Sequence, residues 1–132
     1  MIQFQERSFV SDKNFRPRPH VHFNRDLGFI FIATIWGKTF PIEDLIARIE
    51  SYFISSQSDD ELTSPFQPIS SYNKIQNNVR IAVLMINDFL LVEKNRSEYN
   101  SGLEIFIGLH RDQQLHFTSF GQPHLLLSRE ER

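Results

Sequence analysis

The sequence predicts an α+β fold, an antiparallel sheet carrying an antiparallel helix pair. Strand-like runs stand at both ends of the chain, two stretches with helical periodicity lie between them, and turn sequences separate the last runs. The predicted order is strand, loop, strand, helix, helix, then three strands in a meander.

Each element has its own signal. Ile2 and Phe4 alternate with Gln3 and Gln5, which predicts a strand over 2–10. Over 11–26 the chain is polar, and Pro17 and Pro19 remove backbone donors, so this stretch reads as a loop with a short extended piece at 20–24. From Gly28 to Trp36 runs an apolar, β-branched and aromatic stretch that fits a strand buried on both faces. Pro41, Glu43 and Asp44 form a helix start, and Ile42, Leu45, Ile46, Ile49 and Phe53 recur at helical spacing, predicting a helix over 41–55. A second helix over 69–94 follows from Ile75, Val79, Ala82, Val83, Ile86, Phe89 and Leu90. Strands are then expected at 103–110, 115–120 and 125–128, separated by turns at 111–114 and 121–123.

The composition narrows the function classes. The chain has 132 residues, and 14 Lys and Arg against 16 Asp and Glu give a net charge of −2, which argues against a large nucleic-acid footprint. With no Cys there is no disulfide, thiolate metal site or Cys nucleophile. At 15.6 kDa, about 7,000 Å² of surface is expected to stay exposed, with about two-thirds of the extended chain's surface buried, enough for one domain over 1–132 but not two. No apolar run near a membrane span's length and no secretory start are visible, so the expected address is the cytoplasm.

Few residues suggest chemistry. His20 and His22 stand two apart, the spacing of an imidazole pair on an extended segment, and Asp12 offers a carboxylate upstream. Arg16, Arg18 and Arg25, with Phe15 and Phe23 interleaved, make 16–25 a basic loop able to meet phosphate or nucleic acid. Thr34 is the nearest approach to a strand-end nucleophile, and it reads as a packed side chain. Gly37-Lys38-Thr39 lacks the upstream glycine of a phosphate loop. The acidic run Asp59, Asp60, Glu61 lies in a Ser-rich connector and reads as solvated charge.

The element order resembles the first half of the metal-dependent protein phosphatases of type 2C. The stretch Ser11-Asp12-Lys13-Asn14-Phe15-Arg16 through His20-Val21 resembles that family's first motif. Ile32-Ala33-Thr34-Ile35-Trp36-Gly37-Lys38 before a helix resembles its metal-binding strand end. Ser101-Gly102-Leu103 and Phe120-Gly121-Gln122-Pro123 are similar to two later motifs. The resemblance implies an αββα sandwich and a Mg²⁺ or Mn²⁺ site built on carboxylates. At its degenerate positions this chain has Val21, Thr34, Ile35, Gly37 and Gln122, and neither valine nor threonine replaces a ligating carboxylate.

The resemblance therefore implies a half-domain of pseudophosphatase type that carries no cofactor and acts in signalling through protein contacts or self-association. Its alternatives are a hydrolase using Mg²⁺ or Mn²⁺ with atypical or partner-supplied ligands, such as His20, His22 and Asp12, and a nucleic-acid or phosphate binder working through 16–25. Of 13 Phe, Phe29, Phe31, Phe53, Phe89, Phe106, Phe117 and Phe120 are expected in one helix-on-sheet core. Phe15, Phe23, Phe40 and Phe66, with Trp36, are expected on a partner surface.

Overall fold

Strand Phe29–Gly37 runs through the middle of the protein in the computed structural model, which describes residues 2–9, 16–58, 66–121 and 123–130. We number the strands β1 (His20–Asn24), β2 (Phe29–Gly37), β3 (Ser101–Arg111) and β4 (Gln114–Phe120). They form one antiparallel sheet in the order β1-β2-β3-β4. Helices α1 (Glu43–Ser58) and α2 (Lys74–Phe89) are inserted between β2 and β3. The α+β class and the antiparallel sheet with its helix pair are those read from the sequence, and among the described residues there is one sheet.

Alternation along β2 divides its side chains between two faces. Phe29, Phe31, Ala33 and Ile35 enter the core under the helices beside their ladder partners Leu109, Ile107, Ile105 and Leu103. From the helices come Leu45, Ile49 and Phe53 of α1 and Val79, Ala82, Ile86 and Phe89 of α2. Phe29, Phe31, Phe53, Leu45, Ile49 and Ile107 are fully buried, each contributing about 1.5–3 kcal/mol by removal from water. Phe53 meets Phe29 edge-on at 5.1 Å between ring centres.

The helices run antiparallel. Near the end of α1, the Tyr52 hydroxyl donates to Asn78 Oδ1 at 3.1 Å, and Asn78 Nδ2 donates to Ser56 Oγ at 3.0 Å, beside the start of α2. Burial raises the Tyr52 pKa above the usual tyrosine value. At the opposite end, Arg48 forks onto Glu93 at 2.5 and 3.2 Å. That hydrogen bond raises the Arg48 pKa and lowers that of Glu93.

Beyond shifts of two or three residues at the ends of α1 and β3, the structure departs from the sequence reading in four places. Residues 2–9 join no ladder. Ile2 and Phe4 are half-buried against exposed Gln3 and Gln5, and Phe4 stacks on Phe23 at 4.5 Å, so the alternation marks a segment laid on the sheet. Helix α2 starts at Lys74 rather than 69, because Asn73 and Gln76 form a reciprocal capping box and the buried Asn77 side chain holds Ile69 through both its amide and its carbonyl. Its final turn, Leu90–Lys94, is π-helical, with the Asn95 amide donating to the Leu90 carbonyl at 2.7 Å. Finally, residues 125–128 form no strand, and Leu126 and Leu127 are 90% and 76% exposed.

The second-helix region bears on the membrane reading. Lys74–Lys94 has the length and composition of a span, with 33% of its apolar window buried. Val79, Ala82, Ile86 and Phe89 commit one stripe of it to the sheet, so it is weak support for insertion. The exposed surface totals 9919 Å², against the roughly 7,000 Å² expected for this mass, so little more than half of the extended chain's surface is buried.

Candidate protein-interaction surface

Thr34 and Ile35 are neighbours in sequence but face opposite sides of the sheet. Ile35 is 3% exposed in the core under the helices. Thr34, 5% exposed, lies on the other face beside its ladder partner Glu104. There Arg16 donates to Glu104 at 2.8 Å, and its guanidinium carbon stands 5.9 Å from the centre of the Trp36 ring. The residue standing where the resemblance requires a carboxylate is therefore packed, with an ion pair and an indole next to it. Gly37 ends β2 in the left-handed region at φ 81°, where any Cβ would run into the Asn100 carbonyl, so its role is a turn.

Val21 shares the outer face with Ile32, whereas His20 and His22 point to the helix side of β1. His22 Nε2 pairs closely with Glu50 of α1, and Asn24 Nδ2 donates to the same carboxylate oxygen at 3.2 Å. This knot ties the sheet edge to the helix and occupies the imidazole that the sequence offered as a ligand. His20 instead lines a shallow groove of about 490 Å³ with Glu6, Arg18, Val21, Ile35 and Thr39. Among the described residues no three His, Asp or Glu side chains are grouped to hold a metal ion. Asp12, Phe15 and Gln122 lie outside the described residues.

The aromatic residues expected on a partner surface are mostly engaged elsewhere. Phe23 stacks on Phe4, and Phe40 packs against Phe89 at 5.5 Å with the Lys94 ammonium 5.3 Å from its ring centre. Phe66 is partly buried, and Trp36 is 37% exposed beside Arg16. Nor is 16–25 one basic patch, since Arg16 is paired on the outer face while Arg18 lines the β1 groove.

A further groove lies at the other edge of the sheet. Among the described residues strand β4 has a ladder partner, β3, on one side only, and α2 packs against it. Along them runs a groove of about 600 Å³ lined by Val79, Arg80, Val83 and Leu84 of α2 and by β4, whose helix-side positions are His116, Thr118 and Phe120, while Leu115 and Phe117 point to the outer face. Phe117 and Phe120 are 48% and 50% exposed, against the expectation that both fill the core. Phe106 is the intermediate case. It lies on the outer face, stacked on Phe117 at 5.7 Å, and not under the helices. The signal available in the sequence was the broken alternation of Leu115, Phe117 and Phe120, which no single buried face accommodates.

An edge strand presents a row of unpaired amides and carbonyls, and a groove beside it takes the side chains of an added strand. Backbone pairing would supply affinity there and the groove would select apolar side chains. No protein-family model, curated protein or solved structure matches this chain.

Proposed function

We propose that the chain is a non-catalytic protein-interaction domain of regulatory type, acting in the cytoplasm and related to the type 2C phosphatases only by element order. The observation that carries this reading is the free edge of β4 with the apolar groove beside it. Support also comes from the packing of Thr34 beside the Arg16–Glu104 pair and from the pairing of His22 with Glu50, which leave neither position free to bind a hard cation.

The test is a phosphomonoesterase assay with p-nitrophenyl phosphate and a phosphoserine peptide, with Mg²⁺ or Mn²⁺ supplied. The expected rate equals that of a mock preparation. Turnover that tracks the chain and requires the metal would overturn the reading in favour of a hydrolase with atypical ligands. Binding to oligonucleotides that weakens steeply with salt would instead favour the 16–25 segment as a phosphate-binding surface.

A further inference from the structure

We propose that the edge of β4 receives an extended, acidic peptide segment of a partner protein as a fifth strand of the sheet, its backbone paired with β4 and one of its carboxylates held by Arg80 of α2. The proposal rests on the protein-interaction reading and gives the partner its chemistry.

Nothing in β4 discourages such pairing. Sheet edges are ordinarily blunted by charged residues, Pro, bulges or a covering segment, yet Gln114–Phe120 contains no charged residue and no Pro, and its register with β3 is unbroken from Gln114 to Phe120. The opposite edge is treated differently. Strand β1 follows Pro17 and Pro19, and its Phe23 is stacked under Phe4 of the segment laid on the sheet.

The form of the occupant follows from which β4 side chains are bare. Phe120 stands on the helix side with His116 and Thr118, whereas Phe117 stands on the outer face with Leu115. Both rings are nevertheless about half exposed, Phe117 at 48% and Phe120 at 50%. A small molecule lodged beside α2 would cover Phe120 alone, and a body lying on the outer face would cover Phe117 alone. A strand added at the edge carries side chains on both faces, so it shields both rings while pairing with the β4 backbone.

Its charge follows from the groove. Arg80 and His116 line it, and none of the described residues lining it is Asp or Glu. Arg80 is partly buried and its Nη1 donates to the Gln67 carbonyl at 3.0 Å, but among the described residues no carboxylate pairs with it. Arg16 and Arg48, by contrast, hold Glu104 and Glu93. A guanidinium whose partner is a neutral carbonyl keeps N–H groups for an incoming carboxylate, which it binds by charge-assisted hydrogen bonds. A second copy is the poorer occupant, because β4 paired with β4 brings no carboxylate to Arg80.

The probe is the peptide acetyl-Val-Thr-Val-Glu-Val-Thr-Val-amide, compared with analogues carrying Gln or Lys in place of its Glu and titrated into the isotope-labelled chain by amide NMR. The Glu peptide is expected to shift the β4 amides and to bind about tenfold more tightly than the Gln peptide, the gain of one charge-assisted hydrogen bond, with the Lys peptide weakest. Arg80→Gln should make the Glu and Gln peptides equal. N-methylation of alternate amides of the Glu peptide should abolish binding in one phase and spare it in the other, since a strand offers β4 only every second amide. No binding by any of the three peptides at millimolar concentration, equal binding by all three, or shifts away from β4 and α2 would overturn the proposal. A dimer of the chain alone by light scattering, dissociated by Phe120→Asp, would overturn it in favour of a second copy. The two readings fail separately: no peptide binding and no phosphatase activity removes the strand addition alone, whereas peptide binding together with metal-dependent turnover removes the non-catalytic reading alone.

Discussion

Arg16 and Glu104 are 88 positions apart in sequence and meet at 2.8 Å on the outer face of the sheet, with the guanidinium beside the Trp36 ring. This pair ties the entry to β1 to the centre of β3. Arg16 is half exposed and Glu104 only 18% exposed, so the salt bridge contributes less than about 1 kcal/mol to stability. Its effect is on position, since it keeps an indole and an ion pair beside Thr34.

Trp36 is the only tryptophan in the chain, which makes that arrangement measurable. Arg16→Ala is expected to red-shift the emission and increase acrylamide quenching while lowering the melting temperature little. Unchanged fluorescence would show that the indole is held by something other than Arg16.

Phe53→Ala is expected to cost about 3–5 kcal/mol, because the ring is 1% exposed and packs edge-on against Phe29. Phe117→Ala, at a half-exposed site, should cost far less. Urea titrations of the two variants check the contrast. Similar losses would mean that Phe117 belongs to the core after all.

Gly37→Ala places a side chain where φ is 81° and the Asn100 carbonyl occupies the space a Cβ needs. The backbone strain alone is about 1–2 kcal/mol. The variant should melt earlier, with β2 amides near residue 37 exchanging hydrogen faster than in the unmodified chain.

Tyr52 supplies a pH dependence with a definite sign. Burial raises its folded pKa above the ordinary tyrosine value of about 10, so the phenol stays neutral in the fold at pH values where the unfolded chain ionises. Its contribution is fully present below pH 10 and is lost as pH rises through the folded value. Tyr52→Phe should flatten the alkaline limb of the stability curve. It should also cost about 1 kcal/mol at neutral pH through the lost hydrogen bond to Asn78. Stability that declines with the same slope in both proteins would assign the alkaline limb to another group.

Glu93 acts at the acid end. Its pKa is lowered chiefly by the hydrogen bond from Arg48, so its contribution is present above the ordinary carboxylate range and fades as pH falls through the folded value. The pair is exposed, and the effect of Glu93→Gln on acid unfolding should be small. A shift of the acid midpoint larger than that of Tyr52→Phe at the alkaline end would contradict this ordering.

Local patterns by themselves determined the two helices, the strands at β2, β3 and β4 and the antiparallel α+β class, because periodicity and turn residues act within a few positions of the chain. The helical stripe from Ile75 to Phe89 and the apolar run from Phe29 to Ile35 needed no distant partner to be legible. The sequence also showed that Val21, Thr34 and Ile35 are poor ligands for a hard cation, since that follows from side-chain chemistry alone. Only the tertiary structure decided that Ile2 and Phe4 lie on the sheet without joining it, that Leu125–Leu127 finds no ladder, and that Phe117 and Phe120, on opposite faces of β4, are half exposed and not in the core. A strand's alternation is the same whether its partner is a ladder, a sheet face or nothing, and which of these it meets depends on residues far away in sequence. The engagement of Arg16 with Glu104 and of His22 with Glu50 has the same origin: charge is written in the sequence, but pairing is a property of distance in space.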